Sequence, residues 1–316
     1  MNLGLPYKGS KNTIAFDIVN ALQRGKKFLD ACCGGGAILM AAAMSMRWDK
    51  VVGNDLNPAT IALLDAVLIH KGQIEYEHPP VCTRDDFFNS LQRIENGDFN
   101  VQDCVNKYCA SFGNSGKNYI YGKSAEEIKT TAEKMLSSDR MDDRRMAYRK
   151  FIKIFREQND DGRCQRLEEL QRLEELERLE RLERLKRIER LERLERIERL
   201  ERIDIFDIDY SEFDVVYFDI PYKGTSEYDF KFDHEKFYKM FANFDKPAFL
   251  SEYSSPFTLV AKFDKTSIFG SNTGKIEGLE KLYFNGSLEE YRELMGKEYK
   301  TLDEEKPLDL FGERVA

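Results

Sequence analysis

The sequence predicts an α/β protein built on a Rossmann-like sheet of parallel strands. Strand and helix patterns alternate through the first hundred residues, and strand patterns return near the C-terminal end of the chain. A glycine-rich turn and a proline-containing turn each follow directly after a hydrophobic strand. This order, with short loops between the elements, is typical of a parallel sheet that is covered by helices.

The first part of the predicted sheet consists of two strand–helix units. Residues 27–30 and 51–55 have strand patterns, and residues 37–46 and 61–69 have helix patterns. The first strand runs into Gly34-Gly35-Gly36, a turn in which the backbone can approach a ligand closely. The sequence therefore predicts a ligand loop after the first strand.

The second part of the predicted sheet follows residue 204. Residues 215–219 and 247–252 are predicted strands, and residues 234–241 between them are a predicted helix. Residues 266–269 and 281–284 are predicted to pair as a β-hairpin. Together these elements extend the sheet on one side.

Residues 107–156 differ in character from the predicted sheet. They contain twelve Lys or Arg against six Asp or Glu, within a protein whose net charge is −8. They also include an aromatic and amide-rich stretch at residues 112–119. A local basic surface in an acidic protein is compatible with binding to nucleic acid, because steering depends on where the charges lie.

A triplet repeat occupies residues 166–203. An aliphatic residue stands at every third position from Leu167 to Ile203, with Arg and Glu between. The composition favours an α-helix with supporting Glu–Arg pairs four residues apart, and a 3₁₀-helix or a mixed or solenoid-like form are alternatives because the period is three. We expect a projecting spacer, a packing strut, an oligomerisation surface, or an expanded repeat tolerated between domains.

The composition limits the class of protein. The chain has 316 residues, of which 41% are hydrophobic, six are Cys and three are His. Because no Cys-x-x-Cys pair is present, we expect no metal site. The sequence lacks a signal-peptide pattern and an apolar run of membrane-spanning length, so we expect a cytoplasmic protein, in a bacterium or a phage-infected host, without a membrane partner.

The tetrapeptide Asp219-Ile220-Pro221-Tyr222 is the strongest chemical signal. The Asp219 carboxylate and the Ile220 backbone carbonyl can accept the two hydrogens of a planar amine. Pro221 fixes φ and donates no hydrogen bond, which leaves the turn open to a ligand. The Tyr222 ring offers a face on which a nucleobase can stack. The motif therefore predicts a site that binds an aromatic amine.

Two further segments predict a cofactor site. Asp30 ends the first strand just before the glycine-rich turn, and Asp55 ends the second strand, where an acidic residue can bind ribose hydroxyls. The segment Pro6-Tyr7-Lys8-Gly9-Ser10-Lys11 precedes the first helix pattern. A regular Gly-x-Gly-x-x-Gly and a Walker motif are both absent from the sequence, which favours S-adenosylmethionine over a dinucleotide.

Together the three segments resemble the Dam-like, D12 class family of DNA adenine-N6 methyltransferases, of the type common in phages. The resemblance covers residues 1–75 and 205–285. Two positions depart from the family pattern, since Cys32 stands in place of Phe and Ile220 in place of Pro. The resemblance implies S-adenosylmethionine as cofactor and a catalytic motif formed by Asp219, Ile220, Pro221 and Tyr222. The cofactor-binding residues that it implies are Tyr7, Lys11, Asp30, Cys32, Gly34, Gly36, Asp55, Leu56 and Asp219.

The resemblance also implies how the chain is divided. We expect a catalytic core at residues 1–75 and 204–290, a helical target-recognition region at 76–160, the repeat at 166–203, and an acidic tail at 291–316. The expected DNA-binding residues carry basic or amide groups or an aromatic ring. They are Lys117, Arg144 and Arg145, with Lys150 and Lys153, for phosphates, and Asn118 and Tyr119, with Asn114, for bases.

The expected reaction moves a methyl group from S-adenosylmethionine to the exocyclic amine of an adenine that is flipped out of double-stranded DNA. The motif alone permits other planar amines, such as cytosine N4, RNA adenine or a glutamine side chain. A protein of another class is also compatible: a non-catalytic DNA-binding or scaffold protein that retains the fold. We expect a monomer, with the repeat as a possible oligomerisation surface. The target sequence and a restriction nuclease partner are left open.

Overall fold

The computed structural model describes residues 3–74, 82–138, 140–158, 181, 184–185, 187–188, 192–222, 232–267 and 276–298. The chain forms two compact units. We call the first the helical unit, which comprises Met1–Ser10, Gly34–Gly36 and Asn57–Glu195. We call the second the sheet unit, which comprises Lys11–Cys33, Ala37–Leu56 and Arg196–Ala316. Four of the boundaries between the units fall within the expected core of residues 1–75 and one falls within the repeat, between Glu195 and Arg196. The predicted domain scheme stays a prediction.

The sheet unit contains a seven-stranded mixed sheet in the order β3-β2-β1-β4-β5-β7-β6. The first five strands of this order are parallel, and β7 is antiparallel to both β5 and β6. The α/β fold prediction is therefore confirmed, and the predicted terminal hairpin corresponds to β6 and β7. The strands are β1 Lys27–Asp30, β2 Lys50–Asn54, β3 Ile197–Glu201, β4 Val215–Phe218, β5 Ala248–Glu252, β6 Thr258–Ser267 and β7 Ile276–Phe284.

The central strands are hydrophobic along their whole length because both faces of the sheet are covered. All four residues of β4 and all five of β5 are buried. Continuous rather than alternating hydrophobic runs are typical of such parallel strands. The helices of this unit are α1 Ala15–Asn20, α2 Ala37–Ser45, α8 His234–Ala242 and α9 Leu288–Met295.

The helical unit contains five described helices, and side-chain caps set the starts of three of them. Asn57 caps α3 by accepting from the backbone N–H groups of Ala59 and Thr60. Thr83 and Asp86 form a reciprocal capping box at the start of α4. These helices are α3 Pro58–Leu68, α4 Arg84–Asn96, α5 Val101–Cys109, α6 Lys123–Ser137 and α7 Met141–Gln158. No described helix is both long and apolar enough to cross a membrane.

The end of the triplet repeat differs from the prediction. Residues 181, 184, 185, 187 and 188 are helical, but Glu192–Arg196 form a 3₁₀ turn and Ile197–Glu201 form β3. The prediction of a helix that continues through residue 203 is therefore wrong for the last triplets. The remaining residues of the repeat lie outside the described part of the chain.

A β-bulge explains how a triplet pattern fits a strand. Val51 of β2 pairs with Ile197 and Gly53 pairs with Leu200, with a register shift between Val51 and Val52. The extra residue on β3 brings Ile197 and Leu200, which are three apart, to the same face of the sheet. Gly53 makes room for this packing, since a Cβ there would lie 2.9 Å from Leu200 Cδ2. Tertiary pairing thus overrides the helical propensity of the repeat.

The polar positions of β3 also find partners on the sheet unit. Glu198 forms ion pairs with Lys27 and Lys50, both at 3.0 Å. Arg199 forms an ion pair with Glu201 at 2.6 Å, and a further pair with Glu212. The charged residues of the last triplets therefore stabilise the strand against the sheet rather than an isolated helix.

Asn54 holds the ends of three strands together. The buried Asn54 Nδ2 donates to the Ala31 carbonyl at 3.0 Å and to the Ile203 carbonyl at 2.9 Å. Its Oδ1 accepts from the Ile203 backbone N–H at 2.8 Å, and its backbone carbonyl accepts from Cys33 at 2.8 Å. This side chain fixes where the repeat ends relative to the first two strands.

Candidate active site

Three predicted carboxylates meet at one edge of the sheet. Asp30 is the last residue of β1, Asp55 follows β2, and Asp219 follows β4. Because β2, β1 and β4 are parallel neighbours, their carboxyl ends lie at the same edge. Burial raises the pKa of Asp30 well above its usual range, and the nearby negative charges of Asp219 and Asp55 raise it further. The structure thus brings all three residues into electrostatic contact.

Lys11 binds the carboxylate of the predicted catalytic motif. Its Nζ donates to both oxygens of Asp219, at 2.8 and 2.7 Å. The side chain of Lys11 is 5% exposed and that of Asp219 is 21% exposed. The ammonium also lies 3.8 Å from Glu280 and 4.9 Å from the centre of the Tyr222 ring. In the structure, the buried Lys11 ammonium therefore occupies the carboxylate that the sequence predicts to accept from a substrate amine.

Tyr222 is held in place at its hydroxyl and at its ring. The hydroxyl donates to Glu280 Oε1, and the ring of Tyr253 packs edge-on at a centroid distance of 4.6 Å. Burial raises the pKa of the Tyr222 phenol, and the charges of Asp219 and Glu280 raise it further. The phenol is therefore a neutral hydrogen-bond donor at all ordinary pH values.

The turn between Asp219 and Tyr222 is anchored on both sides. The Ile220 side chain is buried in the hydrophobic core beside Phe218 and Phe237. The Pro221 carbonyl accepts a hydrogen bond from His234 Nε2 at 2.8 Å. These contacts fix the backbone of the motif, so the Asp219 carboxylate is presented by a rigid turn.

Asp30 is a buried carboxyl without a hydrogen-bond partner of normal geometry among the described residues. The nearby backbone amide of Leu39 and the charge of Lys11 act to lower its pKa, but burial and the neighbouring Asp residues outweigh them. Buried polar groups are nearly always paired, so such a group points to a ligand that completes the site. Asp30 is a fitting acceptor for a hydroxyl or an ammonium group of a cofactor.

Asp55 and Leu56 follow β2 at the same edge. The Asp55 backbone N–H donates to the Glu201 carbonyl at 3.2 Å, which ties this residue to β3. The Leu56 side chain is 41% exposed, and its carbonyl accepts from Arg202 Nε at 3.2 Å. The carboxylate of Asp55 can accept hydrogen bonds from the hydroxyls of a sugar, and the exposed Leu56 side chain offers an apolar contact to an attached base.

Cys32 and Cys33 lie directly after β1 and Ala31. Burial raises the pKa of both thiols well above the usual range, and the neighbouring Asp residues raise it further. Both groups are therefore neutral thiols, which are poor nucleophiles. Cys32 packs against the hydrophobic core as a partly buried apolar side chain, and the site offers no covalent route through these residues.

Within the helical unit, Tyr7 packs onto the glycine-rich turn. A Cβ on Gly35 would lie 2.6 Å from Tyr7 Cβ, and a Cβ on Gly34 would lie 3.2 Å from Tyr7 Cε1. The Leu5 backbone N–H donates to the Gly35 carbonyl at 2.6 Å. Gly34 and Gly36 have positive φ angles of 46° and 76°. The two sequence motifs therefore meet, and the glycines are needed for the close approach.

In the loop at residues 111–119, two of the predicted DNA-binding residues are exposed and another is buried. Lys117 and Asn118 are exposed. Tyr119 is buried at 5% exposure, and its hydroxyl donates to the Cys82 carbonyl at 2.7 Å. The expectation that Tyr119 reads bases is therefore corrected: this ring belongs to a core cluster with Phe87. The exposed aromatic ring of this loop is Phe112, at 62% exposure.

Helix α7 carries the other predicted DNA-binding residues on its surface. Arg144, Arg145, Tyr148 and Arg149 line a shallow depression of about 370 Å³ together with Met135. Arg144 Nε donates to the Ser138 carbonyl, and the exposed Arg145 lies 3.8 Å from Asp142. This surface combines guanidinium groups with an exposed aromatic ring.

Other predicted contacts on this surface are less open. Lys150 forms an exposed ion pair with Glu127 at 3.0 Å, and Lys153 is exposed. The Asn114 side chain lies outside the described part of the structure. Among the described residues, no group of three or more His, Cys, Asp or Glu side chains is placed to hold a metal ion.

Three contributors to the site were missed by the sequence analysis. Glu280, His234 and Asn54 each contact a residue that is far away along the chain. Glu280 stands 58 positions after Tyr222 in a strand pattern, where an acidic residue suggests an exposed face. Only the pairing of β7 with β5 brings it to the site.

The comparisons with known proteins agree with this geometry. No match was found among curated protein sequences. The family described as D12 class N6 adenine-specific DNA methyltransferase matches residues 7–279, which include Lys11, Asp30, Asp55 and the Asp219 motif. Since the match covers most of the chain, the family is established, and with it DNA adenine methylation as the activity of the family. The chain belongs to the D12 class N6 adenine-specific DNA methyltransferases.

Proposed function

We propose that this protein transfers a methyl group from S-adenosylmethionine to the N6 amine of an adenine that is flipped out of duplex DNA. The observation that carries the proposal is the Asp219 carboxylate at the sheet edge, directly beside the Tyr222 ring and within the same cluster as Asp30 and Asp55. Membership of the family supports adenine as the substrate.

Asp219 and Ile220 activate the amine. The exocyclic nitrogen of adenine is a poor nucleophile because its lone pair is delocalised into the ring. Hydrogen bonds from its two hydrogens to the Asp219 carboxylate and the Ile220 carbonyl draw the nitrogen toward tetrahedral geometry and localise the lone pair. The same acceptors stabilise positive charge as it develops on nitrogen, and their rigid turn means that little reorganisation is needed.

Tyr222 positions the base. Its ring is fixed by the hydrogen bond to Glu280 and by the edge contact with Tyr253, so it presents a defined face for stacking. Positioning of this kind contributes to the rate by holding two reactants in line. Taking adenine out of the helix costs a few kcal/mol, which stacking on this ring helps to offset.

Asp30 and Asp55 hold the cofactor. When bound, S-adenosylmethionine supplies a methyl group that is activated by its sulfonium charge. Asp30, with two buried oxygens in need of a donor, accepts from a polar group of the cofactor, and Asp55 accepts from ribose hydroxyls. Cys32 and Leu56 contribute apolar contacts in the sheet unit. The assignments of Tyr7, Gly34 and Gly36 to the cofactor stay predictions from the sequence resemblance.

We infer that Lys11 moves away from Asp219 when the amine binds there. Its Nζ donates to both carboxylate oxygens, so a substrate amine competes with this ion pair for the same acceptor. We therefore assign Lys11 to a resting state in which it protects a buried carboxylate. The assignment of Lys11 to cofactor binding stays a prediction from the sequence resemblance.

The helical unit supplies the surface for DNA. Lys117, Arg144 and Arg145 contact phosphates, and Asn118 reads base edges. The exposed Phe112 ring stacks on bases in place of the buried Tyr119. Phosphate contacts give affinity that falls with salt, whereas base contacts give sequence preference.

The test is a methylation assay on unmethylated duplex DNA with labelled S-adenosylmethionine, followed by nucleoside analysis. We expect label in N6-methyladenine, and a fall of at least about 100-fold in Asp219→Ala, with cofactor binding retained. Asp209→Asn is the matched control, because Asp209 is an exposed cap whose oxygen accepts from the Ser211 N–H. Label in N4-methylcytosine, or only in RNA or protein, would contradict the proposed substrate, and an inactive wild type would support a scaffold.

A further inference from the structure

Glu280 is a buried carboxylate that neither the sequence motifs nor the family match assigns. It lies in β7, one residue beyond the matched segment of residues 7–279, and is 1% exposed. Its Oε1 accepts from the Tyr222 hydroxyl, and its Oε2 lies 3.8 Å from Lys11 Nζ. It therefore contacts two residues of the site from a strand on the antiparallel side of the sheet.

Lys11 faces two carboxylates and is bound closely by one. The distances to Asp219 are 2.7 and 2.8 Å, whereas the distance to Glu280 is 3.8 Å. A shift of about 1 Å in the ammonium group would reverse this preference, because charge-assisted hydrogen bonds form near 2.8 Å. A long lysine stem with rotatable bonds permits such a shift without movement of the backbone.

The need for a second carboxylate follows from burial. Lys11 is 5% exposed, so an ammonium that is displaced from Asp219 by an incoming amine cannot simply turn to water. A buried charge that loses its partner is strongly destabilising. A neighbouring acceptor for the displaced ammonium removes this penalty from the substrate-bound state.

We propose that Glu280 is a positioning residue that receives the Lys11 ammonium when the substrate amine takes its place on Asp219, while it holds the Tyr222 ring in the stacking position. The inference rests on the proposed function, since it requires an amine that competes for Asp219. With Lys11 on Glu280, the Asp219 carboxylate can accept a hydrogen bond from the reacting nitrogen. It can also stabilise the positive charge that develops on that nitrogen.

The chemical class of ligand follows from this exchange. The group that displaces Lys11 must be a hydrogen-bond donor, planar enough to lie along the Tyr222 ring, and neutral before reaction. A charged amine would add a second cation beside Lys11 and be repelled. The exocyclic amine of a nucleobase meets these requirements, and an alkylammonium does not.

The test is Glu280→Gln, which keeps an oxygen that accepts from Tyr222 but removes the charge that attracts Lys11. We expect kcat for DNA methylation to fall about 10-fold to 100-fold, with KM for cofactor within about threefold of wild type. Glu280→Asp keeps the charge on a shorter side chain and is expected to recover part of kcat. Glu252→Gln is the matched control: Glu252 is a buried carboxylate on β5 that accepts from the Tyr253 backbone N–H, and its kcat should stay within threefold.

Thermal unfolding of each variant separates loss of fold from loss of positioning. If Glu280→Gln does not fold, Glu280→Asp decides the test. Its carboxylate lies farther from Lys11, so kcat must still fall while KM stays unchanged. Wild-type kcat in both Glu280 variants, with the wild-type enzyme methylating adenine, overturns this inference alone. A wild-type protein that methylates no adenine in DNA overturns the proposed function and this inference together.

Discussion

Two ion pairs show how differently charge is used in the two units of this protein. In the sheet unit, Lys11 and Asp219 pair with exposures of 5% and 21%. In the helical unit, Lys150 and Glu127 pair at a similar distance of 3.0 Å with exposures of 57% and 66%. Water screens the second pair and leaves the first largely unscreened.

This contrast in burial indicates where single substitutions have large effects. At the sheet edge each charged group depends on specific neighbours, so removal of one leaves others buried without compensation. On α7 the charged groups are largely exposed to water, so we expect small effects on stability, while effects on DNA affinity add up. We therefore expect the chemistry in the first region and the attraction of DNA in the second.

The largest effect is expected from Lys11→Met. The change leaves the carboxylates of Asp219 and Glu280 without their shared cation, and we expect the free energy of unfolding to fall by about 3–5 kcal/mol. Urea unfolding measures it. Lys150→Gln is the matched control on the exposed pair, with an expected change of about 0–1 kcal/mol. Equal losses in the two variants would contradict the comparison.

A smaller effect of opposite sign is expected from Asp30→Asn. The folded-state pKa of Asp30 is raised, so the native protein holds a proton more tightly than the unfolded chain, and stability falls as the pH rises from about 4 through the folded-state pKa. The amide removes that loss, and we expect stability at pH 8 to increase by about 1–3 kcal/mol. Unfolding curves at pH 5 and pH 8 measure this change.

The same variant tests the assignment of Asp30 to the cofactor. Because the amide replaces one acceptor oxygen by an NH₂ group that only donates, affinity for S-adenosylmethionine in calorimetry should fall about tenfold or more. A variant that is more stable and still binds the cofactor normally would remove Asp30 from the cofactor site.

The smallest effects are expected on α7. In Arg144→Ala/Arg145→Ala, affinity for duplex DNA should fall about tenfold at moderate salt, and the slope of log K against log salt should decrease by about two. Fluorescence anisotropy at several salt concentrations measures both. Since we propose that these arginines contact phosphates, the loss should be the same for all DNA sequences. A loss confined to one sequence would show base reading instead.

The sheet and its motif-bearing strand ends could be predicted because the information is local. Asp30, Asp55 and Asp219 each follow a hydrophobic run, and parallel strands bring such ends to one edge. Glu280 and His234 could not be predicted, because their contacts depend on strand pairing and packing rather than on neighbouring residues.

The errors have the same physical origin. Tyr119 lies in a basic and amide-rich stretch that indicates an exposed surface, but its ring fills a core cluster. The last triplets of the repeat have strong helical propensity, but the open edge of β2 offers them backbone partners and a bulge matches their period to the sheet. Composition reports average exposure and propensity, and neither determines the environment of one residue.

The bulged strand β3 begins with a triplet that has the same residue order as the triplet before it. Position is anchored from the C-terminal side, where Asn54 binds Ile203 and the unique sequence begins at Asp204. Residues 194–196 repeat the aliphatic, acidic, basic order of residues 197–199. We therefore expect gain or loss of a whole triplet upstream to change the length of the segment without altering the residues that form β3.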